Sequence, residues 1–151
     1  MRERHGGNRV TAKEYLNQIR IADMKIEQKL KEYEDLKKRC SILNGMDYSS
    51  VRVQTSPDGQ GFTRAIDKLV DLEREINADI DLFYADKHQK IGEIQSVGKP
   101  EYIDVLYRRY VEYKPLERIA ADMGYSYNWC CSIHGRALKE FEKTITYHSK
   151  T

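Results

Sequence analysis

Proline occurs at only three positions, 57, 100 and 115. A proline breaks a helix because it removes a backbone donor and crowds the preceding turn, so the long spans between these positions are open to long helices. Between residues 11 and 43 the apolar side chains Tyr15, Ile19, Ala22, Ile26, Leu30, Tyr33, Leu36, Cys40 and Leu43 step by three or four, the period of one helical face. Thr11-Ala12-Lys13-Glu14 reads as a capping box at the start, with Val10 and Tyr15 placed for a hydrophobic staple. Asn44-Gly45 is a plausible C-cap. Such a helix is about 50 Å long at 1.5 Å per residue, which suits a coiled-coil arm.

A second long stripe, Ile66, Leu69, Ile76, Ile80, Phe83, Ile91 and Ile94, begins after Thr63, a candidate N-cap. Val70 and Leu72 widen it, and Glu73 and Lys87 interrupt it, as polar residues do where they fix register. The two spans match in length, and antiparallel packing is the simplest arrangement. Between them, residues 44–62 hold the turn signal Ser56-Pro57-Asp58-Gly59 and a short extended candidate, Ser49 to Gln54. The expected organisation is all-α. Residues 1–10 form a flexible basic arm with Arg2, Arg4 and Arg9, and residues 11–98 a coiled-coil-like helical hairpin with loop 44–62. Residues 99–143 form a small helical domain, and 144–151 a tail. Two helices bury a thin core, so the hairpin calls for a partner, either a second copy or another protein.

Charge narrows the function classes. Residues 1–43 hold eleven Lys/Arg against seven Asp/Glu, whereas 44–98 hold six against ten. These opposite signs suggest that the two segments face each other or pair between chains. The net charge is only +2, which is weak evidence for a nucleic-acid partner by itself. No apolar run is long enough for a bilayer, and the first residues carry charge without the apolar core of a secretory signal. Both point to a soluble cytoplasmic chain with no membrane partner. Cys40, Cys130 and Cys131 lack metal-ligand spacing and read as reduced thiols. Helical angles scatter Asp79, Asp81, Asp86 and His88, which read as exposed charge rather than a metal or acid–base cluster. No nucleotide loop, zincin motif or nucleophile elbow occurs. The sequence points away from an enzyme and from a bound cofactor or metal.

Residues 116–135 carry the functional signal. Ile119, Ala120 and Met123 make the apolar face of a short helix that Pro115 starts, and Gly124 follows where the chain must turn. Tyr125 tucks into the turn, and Ser126 is an N-cap for a second helix whose stripe is Cys130, Ile133, Ala137, Leu138 and Phe141. The small Ala120 lets the two helices cross closely. Pro100 opens a preceding helix whose face is Tyr102, Ile103, Leu106, Tyr107, Tyr110 and Val111. An ordinary αα-hairpin and a DNA-binding helix-turn-helix both fit these spacings.

Residues 105–142, with Leu106, Arg109-Tyr110, Ile119-Ala120, Gly124-Tyr125-Ser126 and Ala137-Leu138, resemble region 4 of bacterial sigma-70 factors. The whole layout, with Tyr48 to Gln54 as a Tyr-Ser-Ser-Val-Arg-Val-Gln loop, is similar to small phage and prophage proteins of the ArpU and RinA kind. The resemblance implies a transcriptional regulator in a bacterial host cell that binds double-stranded DNA. It places Tyr127, Asn128 and Ser132 at base-reading positions, with Arg108, Arg109, Arg118, Ser126, Trp129, Arg136 and Lys139 toward the DNA backbone or a partner. Cys131 and Trp129 stand where those factors carry basic residues. Trp129 then either contacts DNA or packs on protein. The basic depletion keeps a second class open: an adaptor that docks on RNA polymerase or another phage protein. A small terminase subunit, which joins a helix-turn-helix to oligomerising helices, is a third reading. In the regulator reading the hairpin makes a homodimer and multiplies weak half-site contacts.

Overall fold

The computed structural model describes residues 10–45 and 60–148. Five helices account for almost all of them: α1 (Ala12–Gly45), α2 (Gln60–Gln95), α3 (Pro100–Tyr110), α4 (Leu116–Met123) and α5 (Tyr127–His148). No strand occurs among the described residues. The basic arm through Arg9, the Tyr48–Gln54 segment and the Ser56–Gly59 turn lie outside them.

The start of α1 is fixed by the capping box. The Thr11 backbone N–H donates to Glu14 Oε2 at 2.9 Å, and the Glu14 N–H donates to Thr11 Oγ1 at 3.2 Å. These bonds satisfy donors that a helix end leaves orphaned, and the backbone N–H of Thr11 holds the Glu14 carboxyl below its usual pKa. Val10 stays 52% exposed, so the apolar anchor of this end is Ala12 and Leu16 rather than the expected staple. α2 starts at Gln60, ahead of the Thr63 cap, and α5 continues to His148, through most of the expected tail. Proline 115 caps α4 from outside instead of opening it.

The chain divides into two compact units, residues 1–22 with 84–151 and residues 23–83. This division falls inside the long helices rather than at the Gly98 boundary. The reason is local packing in the first unit. Its α1 segment meets the domain of α3, α4 and α5: the Tyr15 ring lies 6.2 Å from Phe141, and the Arg20 guanidinium lies 6.0 Å from the Tyr113 ring. Leu16, Ile19, Ile94, Val97, Val105, Leu106, Ile119, Cys130 and Phe141 are all buried here. Leu16 and Val105, one residue from positions on the expected stripes, are fully buried, so the true inner faces are rotated slightly from those stripes.

Lys90 is also in this unit, with a side chain only 2% exposed. Its ammonium pairs with both carboxylate oxygens of Asp86 and sits 4.6 Å from the Tyr15 ring centre. The Tyr15 hydroxyl donates to Glu93 at 3.2 Å. Burial first, then that hydrogen bond, raises the Tyr15 pKa. A buried ammonium is tolerated here because carboxylate and ring face both meet it.

In the second unit the buried apolar side chains are Ile26, Cys40, Ile76 and Phe83. Leu30, placed on the inner stripe by spacing, is 41% exposed. Lys29 of α1 bridges to Glu75 at 2.7 Å and to Asp79 of α2. These ion pairs join α1 to α2 within this unit. Asp79 serves that bridge and Asp86 serves Lys90, while Asp81 and His88 are exposed.

Removing Asp86 strands the Lys90 charge, and breaking a buried pair one-sidedly is the costly case. Asp86→Ala is expected to lower the unfolding free energy by roughly 2 kcal/mol, scaled down because Asp86 is 45% exposed. Lys90→Met in the same chain should restore much of it. Urea unfolding of the single and double variants checks this, and equal losses in both would contradict it.

Candidate functional site

Helices α3 and α4 pack on α5. Its buried side is Cys130, Ile133, Ala137 and Phe141, each 2% exposed or less. Ile119 and Ala120 of α4, at 0% and 3%, complete the crossing, and the alanine leaves room for it. From α3 come Tyr102, Val105, Leu106 and Tyr110, all buried. Lys99 and Pro100 set the start of that helix, with Pro at its first position.

The joint between α4 and α5 is short and locally determined. Gly124 adopts φ 70°, ψ 29°, the left-handed region that glycine enters at little cost. There the Tyr125 N–H donates to the Ala120 carbonyl at 2.8 Å, and the Gly124 N–H to Ala121 at 3.2 Å. These bonds close the C-terminus of α4. The Ser126 hydroxyl accepts from the Trp129 N–H at 3.2 Å and so caps α5.

Residues advance about 100° each around a helix. With Cys130, Ile133, Ala137 and Phe141 turned inward, Asn128, Ser132 and Lys139 fall on the opposite side. Tyr127 and Trp129 flank Asn128 and are 49% and 47% exposed. Asn128 and Lys139 are exposed and Ser132 is half-buried. The three residues of the first turn therefore stand together at the surface. The neighbouring Cys131 thiol is the main cause of a raised Tyr127 pKa. Arg136 lies over the Trp129 ring, with its guanidinium carbon 5.6 Å from the ring centre.

The other basic candidates are already engaged. Asp122 is the focus: Lys114 Nζ lies 3.1 Å from it, Arg118 Nε 3.2 Å and Arg108 3.6 Å. The Lys114 hydrogen bond is the main reason its carboxyl pKa is lowered. Arg108 also binds Asp104 at 2.7 Å, and Arg109 donates to the Lys114 carbonyl at 3.0 Å. Arg109 thus braces the turn in which Tyr113 takes a positive φ of 58°. Ser126 is committed as a cap. The Arg118–Asp122 pair was visible as an i, i+4 spacing, but the convergence of Lys114 and Arg108 on the same carboxylate needed the fold.

Tyr110 and His134 join α3 to α5. The Tyr110 hydroxyl and His134 Nε2 are 2.9 Å apart, with the rings stacked at 5.8 Å. Burial, then the nearby charges of Arg109 and Lys13, lowers the His134 pKa to about 4. Burial raises that of Tyr110 to about 12. The imidazole is neutral at pH 7 and serves as structure.

Among the described residues no group of three or more His, Cys, Asp or Glu is placed to hold a metal ion. No described helix is long and apolar enough to cross a membrane. Comparison with known proteins found no matching family model, curated protein or solved structure.

The depressed His134 pKa has a definite sign. Between about pH 6.5 and 4 the unfolded chain takes a proton that the folded chain refuses, so stability present above pH 6.5 is lost as the pH falls. The loss attributable to this group is on the order of 2 kcal/mol after allowing for partial solvent screening. His134→Gln should flatten the melting-temperature profile over that window. A profile parallel to the wild type would refute the assignment.

Proposed function

We propose that this chain is a phage-type DNA-binding transcriptional regulator acting in the cytoplasm of a bacterial host. In this reading α4 and α5 are a helix-turn-helix resembling sigma-70 region 4, and the start of α5 enters the major groove of double-stranded DNA. One observation carries the reading: Tyr127, Asn128 and Trp129 stand exposed on the first turn of α5, fixed by a left-handed Gly124 and a Ser126 cap above a fully buried stripe. A rigid helix with a polar first turn is what base-edge reading requires.

Tyr127, Asn128 and Ser132 take the base-contacting role. Arg136 and Lys139 lie further along α5 toward a backbone or partner contact, with Arg108, Arg109 and Arg118 supporting from α3 and α4. The long helices act as a hairpin that dimerises the chain or meets RNA polymerase. The small buried set of the second unit, Ile26, Cys40, Ile76 and Phe83, favours self-association as a homodimer. The reading includes no catalysis, cofactor or metal.

A second reading has its own support. Exposed Tyr127 and Trp129 also suit a protein-docking face, and the Asp122 focus consumes cations that would otherwise meet phosphate. In that case the domain is an adaptor for RNA polymerase or a phage partner, or a small terminase-like recognition subunit.

A salt-titrated binding assay on duplex fragments of the protein's own genome separates the two. The regulator reading expects sequence-preferring binding at low salt that weakens as salt rises. It also expects preference to collapse in a Tyr127→Ala, Asn128→Ala double variant. Absence of any preferred fragment at low salt would sink it.

Asp122 offers an independent check. Asp122→Asn releases Arg108, Lys114 and Arg118 from their shared anion, so DNA affinity should rise and its salt dependence steepen, by up to roughly one unit of log–log slope per cation that reaches a phosphate. Unchanged slope would mean that this side of the domain does not face DNA.

A further inference from the structure

We infer that the reading face selects A·T base pairs and recognises them partly through thymine methyl groups. The inference rests on the DNA-binding reading above and specifies its ligand. Guanine is read in the major groove by Arg or Lys donating to its O6 and N7 acceptors. No cation occupies the first turn of α5, whose exposed side chains are Tyr127, Asn128 and Trp129. The nearest guanidinium on the helix, that of Arg136, is stacked on the Trp129 ring two turns along. Arg118 is held by Asp122 and Arg109 by the Lys114 carbonyl.

What remains has a definite preference. The Asn128 amide presents one donor and one acceptor, the complement of adenine N7 and N6. Tyr127 and Trp129 lie about 100° to either side of it, each roughly half exposed. An apolar ring on each flank of an adenine reader is matched by the C5-methyl of thymine, the only apolar group on a base edge of the major groove. The Trp129 ring is steadied by Arg136, so less of its motion is lost on contact. Lys139, exposed on the same side of α5, is placed for a phosphate further along the groove.

The test is selection by the full chain from a random duplex pool at low salt. The enriched duplexes are then rebuilt with deoxyuridine for thymidine, which removes only the methyl groups. The expected motif has an A·T core. Uracil substitution should weaken binding about four-fold for each methyl contacted. Asn128→Ala should reduce preference for adenine at one position by roughly five- to a hundred-fold. Trp129→Ala should narrow the difference between the thymine and uracil duplexes, and the Tyr127→Ala, Trp129→Ala double variant should bind them alike. These side chains are exposed, so the variants should melt with the wild type, and the uracil comparison on wild-type protein needs no variant. An enriched G·C core, or equal affinity for thymine and uracil duplexes, overturns the A·T inference while DNA binding stands. No enriched sequence overturns both and leaves the protein-docking reading.

Discussion

The inward stripe of α5 is the constraint on which the first unit depends. Cys130, Ile133, Ala137 and Phe141 give α3 and α4 a common surface, and the Phe141 ring also meets Tyr15 at the start of α1. Burial of this stripe decides which way α5 faces. It thereby decides that Asn128 and its two aromatic neighbours face outward. The polar contacts follow from that rotation: the Tyr110–His134 bond crosses from α3, and the Asp122 focus closes the seam beside α4. A shift of the whole stripe by one residue would rotate α5 by about 100° and turn a different set of side chains to the surface.

Features specified by neighbours in sequence were legible. The Thr11–Glu14 box, the Pro100 start, the left-handed Gly124 and the Ser126 cap each depend on a few adjacent residues, and each is present. The all-helical architecture was legible for a similar reason, because it follows from period and composition. Features specified by a distant partner were not. The exposure of Leu30 and the burial of Leu16 depend on which elements approach α1, and a periodic stripe is only about a third of a turn wide. The burial of Lys90 likewise depends on Tyr15 and Asp86 meeting its ammonium, which the helical period does not mark. The division at Ala22 and Phe83 was hidden too, since nothing in an unbroken helical pattern marks where its neighbours stop.

The candidate surface divides in the same manner. The exposed first turn of α5 followed from the cap and the stripe. The fate of the cations did not. Arg108, Arg109 and Arg118 counted as available charges in the sequence, yet they stabilise the turn between α3 and α4 and its approach to Asp122. Formal charge therefore overstates what this domain offers a polyanion. What it presents instead is shape, one amide and two rings.

Trp129 is the chain's sole tryptophan, and it lies half exposed on that first turn. Its indole therefore makes the face self-reporting. Selective excitation at the red edge of aromatic absorption addresses this single ring and none of the eleven tyrosines. Its emission colour and access to quenchers describe the solvent over α5, so occupation of the surface can be followed in unlabelled protein, whatever occupies it.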